Sequence, residues 1–243
     1  MLNQNSNYRV FTLNNPFAES VTSYYHKSIG GYHGAKLKRY QELIDFRISK
    51  EIAFIQQNIN QFGLSVFDKT PTLNMMNTKY VILNSGNRPV QNPYAMGNAW
   101  FVPNLKRVKD ANSEIISLSD SALNLKNTAI VHDEFKNVAS VTNPDLSASI
   151  RMTSYRPDLI KYVSSSLSAQ HAIFSEIYYP KGWNCYINGK LTSSFRANYV
   201  LRGVTIPKGE NNIEWRFEPE THAYSKNISS FSSIFLLIIC AFV

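Results

Sequence analysis

Between Gly34 and Gly63 the apolar residues Leu37, Tyr40, Ile44, Ile48, Ile52, Ile55 and Ile59 recur at steps of three and four. That spacing stacks them on one side of a helix, while Lys36, Lys38, Arg39, Glu42, Asp45, Arg47 and Lys50 fall mainly on the other sides. One long amphipathic helix is predicted there. "LNMMNTKYVIL" then runs into a short buried strand at residues 80–83, stopped by "NSGNRP", and another strand is expected at 99–102, before Pro103. Residues 113–118 and 123–125 read as a short helix and a turn.

From about Thr128 the period becomes two. "TAIVHDEF", "ASIRMTSY", "DLIKYVSSS" and "HAIFSEIYY" are strand-length runs separated by turn residues. In "GWNCYINGKLTSSF" Trp183, Cys185 and Ile187 share one face, and Asn188-Gly189 supplies the positive-φ residues of a two-residue hairpin turn. In "IEWRFEP" Ile213, Trp215 and Phe217 alternate with Glu214, Arg216 and Glu218, giving one buried and one solvated face. Trp183 is expected in the core, where its truncation to Ala would cost roughly 3–5 kcal/mol. Strands at this spacing without intervening helices argue for an antiparallel sandwich. The expected fold class is α+β: a small α/β region with one long amphipathic helix, residues 1–127, followed by a jelly-roll-like antiparallel β-sandwich, residues 128–222.

The last run, "SSIFLLIICAFV", has no charged side chain. A bilayer crossing needs roughly 20 apolar residues, so residues 223–243 are expected to be the start of a truncated transmembrane helix. "MLNQNSNYRV" has neither a basic n-region nor an apolar h-region, so no signal peptide is read there.

Composition narrows the options. A hydrophobic share of 44%, with 14 Tyr and 14 Phe, is ample for a packed core. The net charge of +8 is scattered, with no Lys/Arg block and no nucleic-acid-binding module, so no nucleic-acid partner is expected. A membrane- or anion-facing surface accounts for the charge at least as well as nucleic-acid binding does, and an uncommitted basic surface leads both. Cys185 and Cys240 lack any Cys-x-x-Cys or His/Cys company, so free thiols and no metal site are expected. There is no Ser-His-Asp pattern, Gly-x-Ser-x-Gly, His-Glu-x-x-His or Walker loop, so the residues name no catalytic group and no cofactor.

The densest candidate for chemistry is "YYHKSIGGYHGAKLKRY". Glycines ahead of a helix leave N–H groups free, and the helix dipole adds positive potential. Lys36 and Arg39 would strengthen an anion site, His26 and His33 would add hydrogen bonds, and Tyr25 and Tyr32 would stack on a sugar ring. The competing reading is a glycine-rich turn that packs aromatics, with solvated lysines beside it. "FSEIYYPKGWNCYINGK" offers Glu176, Trp183 and paired tyrosines for carbohydrate, but aromatic residues on a strand are more often core, and the core reading leads. Asp133 and Glu134, as strand neighbours, point to opposite faces and read as a solvated edge, not an acid/base couple.

"TSYYHKSIGGYHGAKLKRYQELID", "LNMMNTKYVI", "NPYAMGNAWFV", "FSEIYYPKGWNCYINGK" and "NYVLRGVTIPKGENNIEWRFEP" together resemble the C-terminal extracytoplasmic region of YfhO-like bacterial membrane proteins, over about Tyr8 to Pro219. The resemblance implies a polytopic protein of the GT-C glycosyltransferase type, in the bacterial inner membrane, with this segment extracytoplasmic or periplasmic. It implies a polyprenyl-phosphate sugar donor and an envelope glycan or glycolipid acceptor. In that family type the catalytic acid lies in an early loop with no counterpart here, so no catalytic residue carries over. The alternative is a non-catalytic, membrane-anchored carbohydrate-binding or envelope-structural module. Asn188-Gly189 stands where the family often has Asp-Gly.

Overall fold

Residues 7–138, 140–219 and Ser232 are described by a computed structural model. Cys240 and, apart from Ser232, the transmembrane helix expected at 223–243 lie outside the described residues. Strand β1 (Arg9–Thr12) and helix α1 (Val21–Tyr25) precede the predicted long helix. That helix forms in three continuous pieces: α2 (Lys38–Leu43), a π-turn (Ile44–Ile48) and α3 (Ser49–Phe62). Ser49 causes the break in period. Both its N–H and its hydroxyl, the latter at 2.8 Å, donate to the carbonyl of Ile44, inserting one extra residue. The inward stripe therefore shifts. Leu43, Ile44, Ile48 and Ile55 are buried, Ile52 and Ile59 are half-buried, and Leu37 is exposed. Gly63 ends the helix at φ 54, its N–H returning to Ile59.

A 3₁₀ segment (Gly63–Lys69) leads to α4 (Pro71–Met75). The carboxylate of Glu51, buried on α3, accepts the N–H groups of Thr72 and Leu73, each at 2.9 Å. It thereby satisfies donors that the first turn of α4 leaves open. Strand β2 (Thr78–Ile82) then pairs parallel with β1, and β3 (Val90–Gln91) antiparallel with β2. Parallel pairing needs a long crossover, which the helices supply.

The remaining elements are β4 (Ala99–Val102), β5 (Asn104–Val108), α5 (Ala111–Ser117), β6 (Thr128–His132), β7 (Ser149–Tyr155), β8 (Leu159–Ser166), β9 (Gln170–Ile177), β10 (Trp183–Ile187), β11 (Lys190–Thr192), β12 (Ser194–Ala197), β13 (Leu201–Ile206) and β14 (Gly209–Phe217). They form a five-stranded sheet, β11-β10-β14-β8-β7, and a six-stranded sheet, β4-β9-β13-β12-β6-β5. Pairing is antiparallel except for β5 with β6, which α5 connects as a crossover. Strands β4 and β5 occupy the two outer positions of the six-stranded sheet, yet only Pro103 separates them in the chain. Residues two apart cannot lie more than roughly 7 Å from each other, so the sheet rolls until its margins meet at Pro103.

Two cores result. Leu43, Ile48 and Ile55 of the helix pack with Ile130, Val131, Ala197 and Leu201 on one side of the six-stranded sheet. Tyr162, Phe174, Cys185, Val204, Ile213 and Trp215 fill the space between the two sheets. The six-stranded sheet is thus covered on both faces, which is why β13 is buried at five of six positions, with no alternation.

Several expectations need correcting. Trp215, 1% exposed, is the buried core tryptophan. Trp183 is only half-buried: it lies under the Arg202 guanidinium at 4.1 Å and against Phe217. Its truncation therefore costs less than a core truncation. Asp133 and Glu134 sit in a 3₁₀ turn (Asp133–Phe135), not in a strand. Cys185 is a free, buried thiol, and burial pushes its pKa up to about 12, so it is chemically inert at neutral pH. The hairpin forms as read, with Asn188 at φ 50 and Gly189 at φ 78.

Candidate functional site

The glycine-rich segment is a tightly bonded turn. A Cβ on Gly30 would stand 2.3 Å from the Pro16 carbonyl oxygen, and Gly31 takes φ 109, so neither position tolerates a side chain. The N–H of Gly31 donates to Pro16 at 2.7 Å and that of Tyr32 to Glu19 at 3.1 Å. Gly30 N–H donates to Ser28 Oγ, and Ala35 N–H to His33 Nδ1, both at 3.0 Å. The backbone donors of Gly30 and Gly31 are thus spent inside the loop. What the loop turns outward is aromatic: Tyr24, Tyr25 and Tyr32 are 82%, 64% and 74% exposed. His33 is exposed, while His26 and Lys36 are half-buried.

The Tyr40 hydroxyl donates to the Ile29 carbonyl and ties this loop to the start of the helix. Here a cavity of about 270 Å³ opens, lined by residues 37–40 of the helix start, residues 177–180 at the end of β9, and Arg196, Tyr199 and Val200. Of the six sequence candidates only Arg39 lines it. Tyr25, His26, Tyr32, His33 and Lys36 belong to the adjoining loop. Tyr178 and Tyr179, from the second candidate stretch, line the cavity too, whereas Glu176 pairs with Arg9 at 3.0 Å and lies outside it.

The cavity wall is held by a buried charge network. Glu114 on α5, with its side chain fully buried, accepts from Arg39 at 3.0 Å, lies 3.5 Å from Arg196, and takes the Tyr199 N–H at 3.0 Å. Arg196 also bonds Glu134, and the Tyr199 hydroxyl donates to Glu42. Burial, with the Glu42 bond second, pushes the Tyr199 pKa up to about 12, so the phenol remains a donor at neutral pH. Arg39 is therefore no solvated lysine-like residue: its guanidinium also lies over the Tyr199 ring at 4.7 Å. Asn198 and Tyr199 adopt φ 48 and φ 73 in the turn between β12 and β13. A buried tyrosine in the left-handed region is strained, and such strain concentrates at functional sites.

With both arginines committed to carboxylates, the surface left for a ligand is mainly aromatic and aliphatic. Lys38, whose side chain is 90% exposed, stands at the mouth with its ammonium group 3.8 Å from the Glu42 carboxylate, a solvent-screened pairing that leaves most of the lysine open. Glu114, Arg196 and Tyr199 escape sequence reading because they meet only in the fold. One local signal does exist: residues 20–41 contain Lys27, Lys36, Lys38 and Arg39 and no Asp or Glu. Among the described residues no His/Cys/Asp/Glu group could hold a metal ion, and no helix is long and apolar enough to cross a membrane.

The family described as Bacterial membrane protein YfhO matches residues 34–229, which include every residue lining the cavity. The chain belongs to the YfhO family. A curated relative, the Uncharacterized protein YfhO of Bacillus subtilis (strain 168), is 26% identical over 136 residues, 56% of this chain. The matched part spans 15% of that YfhO relative's length. No solved structure matches the chain. Membrane association follows from membership of the YfhO family.

Proposed function

We propose that this chain is the extracytoplasmic C-terminal segment of an inner-membrane glycosyltransferase that moves sugars from polyprenyl-phosphate carriers to envelope glycans or glycolipids. The catalytic loop lies elsewhere in the parent protein. The segment's part is to receive the sugar-phosphate head of the carrier. The observation that carries this reading is the aromatic cavity at the helix start, with Lys38 at its mouth and the acid-free loop beside it. Tyrosines lie against sugar rings or isoprenoid chain, and the ammonium group answers the phosphate. Exposed Tyr25 and Tyr32 suit the bilayer interface, and the basic residues around them suit an anionic headgroup surface. His26, His33 and Lys36 then border the approach, while Arg39 shapes the wall.

The test uses the full-length parent reconstituted in proteoliposomes with a radiolabelled polyprenyl-phosphate sugar. Lys38→Ala and Tyr179→Ala change exposed or half-exposed side chains and leave folding intact. Each is expected to lower transfer by about tenfold, the loss of one charge-assisted or stacking contact. Wild-type transfer in both variants would return the cavity to a packing role. A wild-type parent that binds saccharide without transferring it would favour the binding-module reading.

A further inference from the structure

A second depression, of about 370 Å³, lies where the chain enters β1 and β2 and where the connection from β3 to β4 passes over them. Among the described residues, half of its lining is carboxamide: Asn7, Asn77, Gln91, Asn92 and Asn98. Lys79 is its one charged side chain, and it holds no carboxylate.

The five amides divide into a frame and a working set. Asn92 is buried and fully used: its Nδ2 donates to Asn74 Oδ1 at 2.8 Å and to the Thr78 carbonyl at 2.9 Å, and its Oδ1 accepts the Tyr94 N–H at 2.9 Å. Asn77, also buried and at φ 55, donates to Asn98 Oδ1 at 2.7 Å and to the Asn7 carbonyl at 3.2 Å. These bonds orient the others. Asn98 spends its oxygen on Asn77, and Asn7 spends its oxygen on Lys27 Nζ at 2.7 Å, so each keeps an NH₂ group uncommitted among the described residues. Gln91 is exposed and keeps its whole amide. Exposed Pro93 adds a flat apolar face, beside the Tyr8 ring, which packs 5.0 Å from Tyr80 and has Lys79 Nζ 5.6 Å from its centroid.

The chemistry selects the ligand. A cation would find no carboxylate here. A phosphate would find one lysine and no arginine. An apolar ligand would strand the amide donors away from water, which costs about 1–3 kcal/mol each. A ring of hydroxyls meets every requirement, because each hydroxyl both donates and accepts and the C–H faces of the ring cover tyrosine and proline. The volume falls within the range of about 300–1,000 Å³ usual for small-ligand sites. We propose that this groove is a binding site for a neutral saccharide. It shares no lining residue with the cavity at Arg39 and does not depend on the transferase reading.

The purified 243-residue chain is titrated with maltose, lactose and N,N′-diacetylchitobiose, with glucose 1-phosphate in parallel, and followed by saturation-transfer NMR. A saturable signal from at least one neutral disaccharide is expected. Gln91→Ala and Asn98→Ala should each weaken it about fivefold, the effect of one lost hydrogen bond, and Lys38→Ala should leave it unchanged. Because Gln91 is exposed, its variant stays folded, which circular dichroism verifies. Silence from all three disaccharides overturns the proposal, as does a preference for glucose 1-phosphate. Binding that survives both amide variants, or that Lys38→Ala abolishes, overturns it equally.

Discussion

Glu51 is 3% exposed and accepts two backbone N–H bonds, yet burial outweighs them and raises its pKa from 4.5 to about 7. The sign of the consequence is fixed. Between those two values the folded protein binds more protons than the unfolded chain. Glu51's contribution to stability is therefore complete below about pH 4.5 and is lost as pH rises through 7. Glu51→Gln removes this titration. The gap in urea midpoint between wild type and variant should shift in the variant's favour from pH 5 to pH 8, and a gap independent of pH would refute the assignment. In the sequence Glu51 is one polar residue on a helix, because its partners at 72 and 73 come from a later turn that no periodicity links to it. The same holds for Trp183 and Trp215: both show strand alternation, and only the position along the sandwich decides which is sealed and which lies at its end.

At the scale of the element, the hairpin Asn188-Gly189 carries more than turn geometry. Asn188 Oδ1 accepts the Asn212 N–H at 2.8 Å, and its Nδ2 donates to Asn211 Oδ1 at 2.9 Å. Asn211 is itself fixed by bonds to the carbonyls of Pro207 and Gly209. Asn188→Asp would keep the turn but set a carboxylate oxygen against that amide oxygen. The expected loss is about 1–2 kcal/mol, read as a lower Tm at pH 7 that partly recovers below pH 4, where the new carboxyl protonates. An unchanged Tm would show that Asn211 can turn over. This hairpin, the long helix, the strands from Thr128 onward and the short helix near residue 113 were legible because each is set by local pattern. The π-turn was not: it hangs on the Ser49 hydroxyl, which a count of apolar steps ignores. Nor was the covered outer face of the six-stranded sheet, since burial on both sides erases alternation.

Across the whole molecule, Glu114 joins elements that the chain keeps far apart. Its bonds to Arg39 and Tyr199 span 75 and 85 residues. Removing it leaves two arginines without their shared carboxylate beside a strained turn. Glu114→Ala should cost roughly 3–5 kcal/mol in denaturant unfolding, because breaking a buried pair strands the remaining charge. A loss below 1 kcal/mol would mean that Glu134 and Glu42 take over the arginines. Of the candidate site, the loop residues and Arg39 were visible as a basic aromatic cluster. Glu114, Arg196 and Tyr199 were not, since no local spacing relates a helix, a strand and a turn that converge only on packing.

The rolled six-stranded sheet bears on solubility. An open sheet margin is a row of unsatisfied backbone donors and acceptors, ready to recruit a strand from a neighbouring molecule. Here both margins are short, four residues in β4 and five in β5. They converge on Pro103, which has no N–H to offer a newcomer. Crowded on a membrane surface beside copies of itself, this six-stranded sheet presents little template for the edge-to-edge growth that seeds β-aggregates.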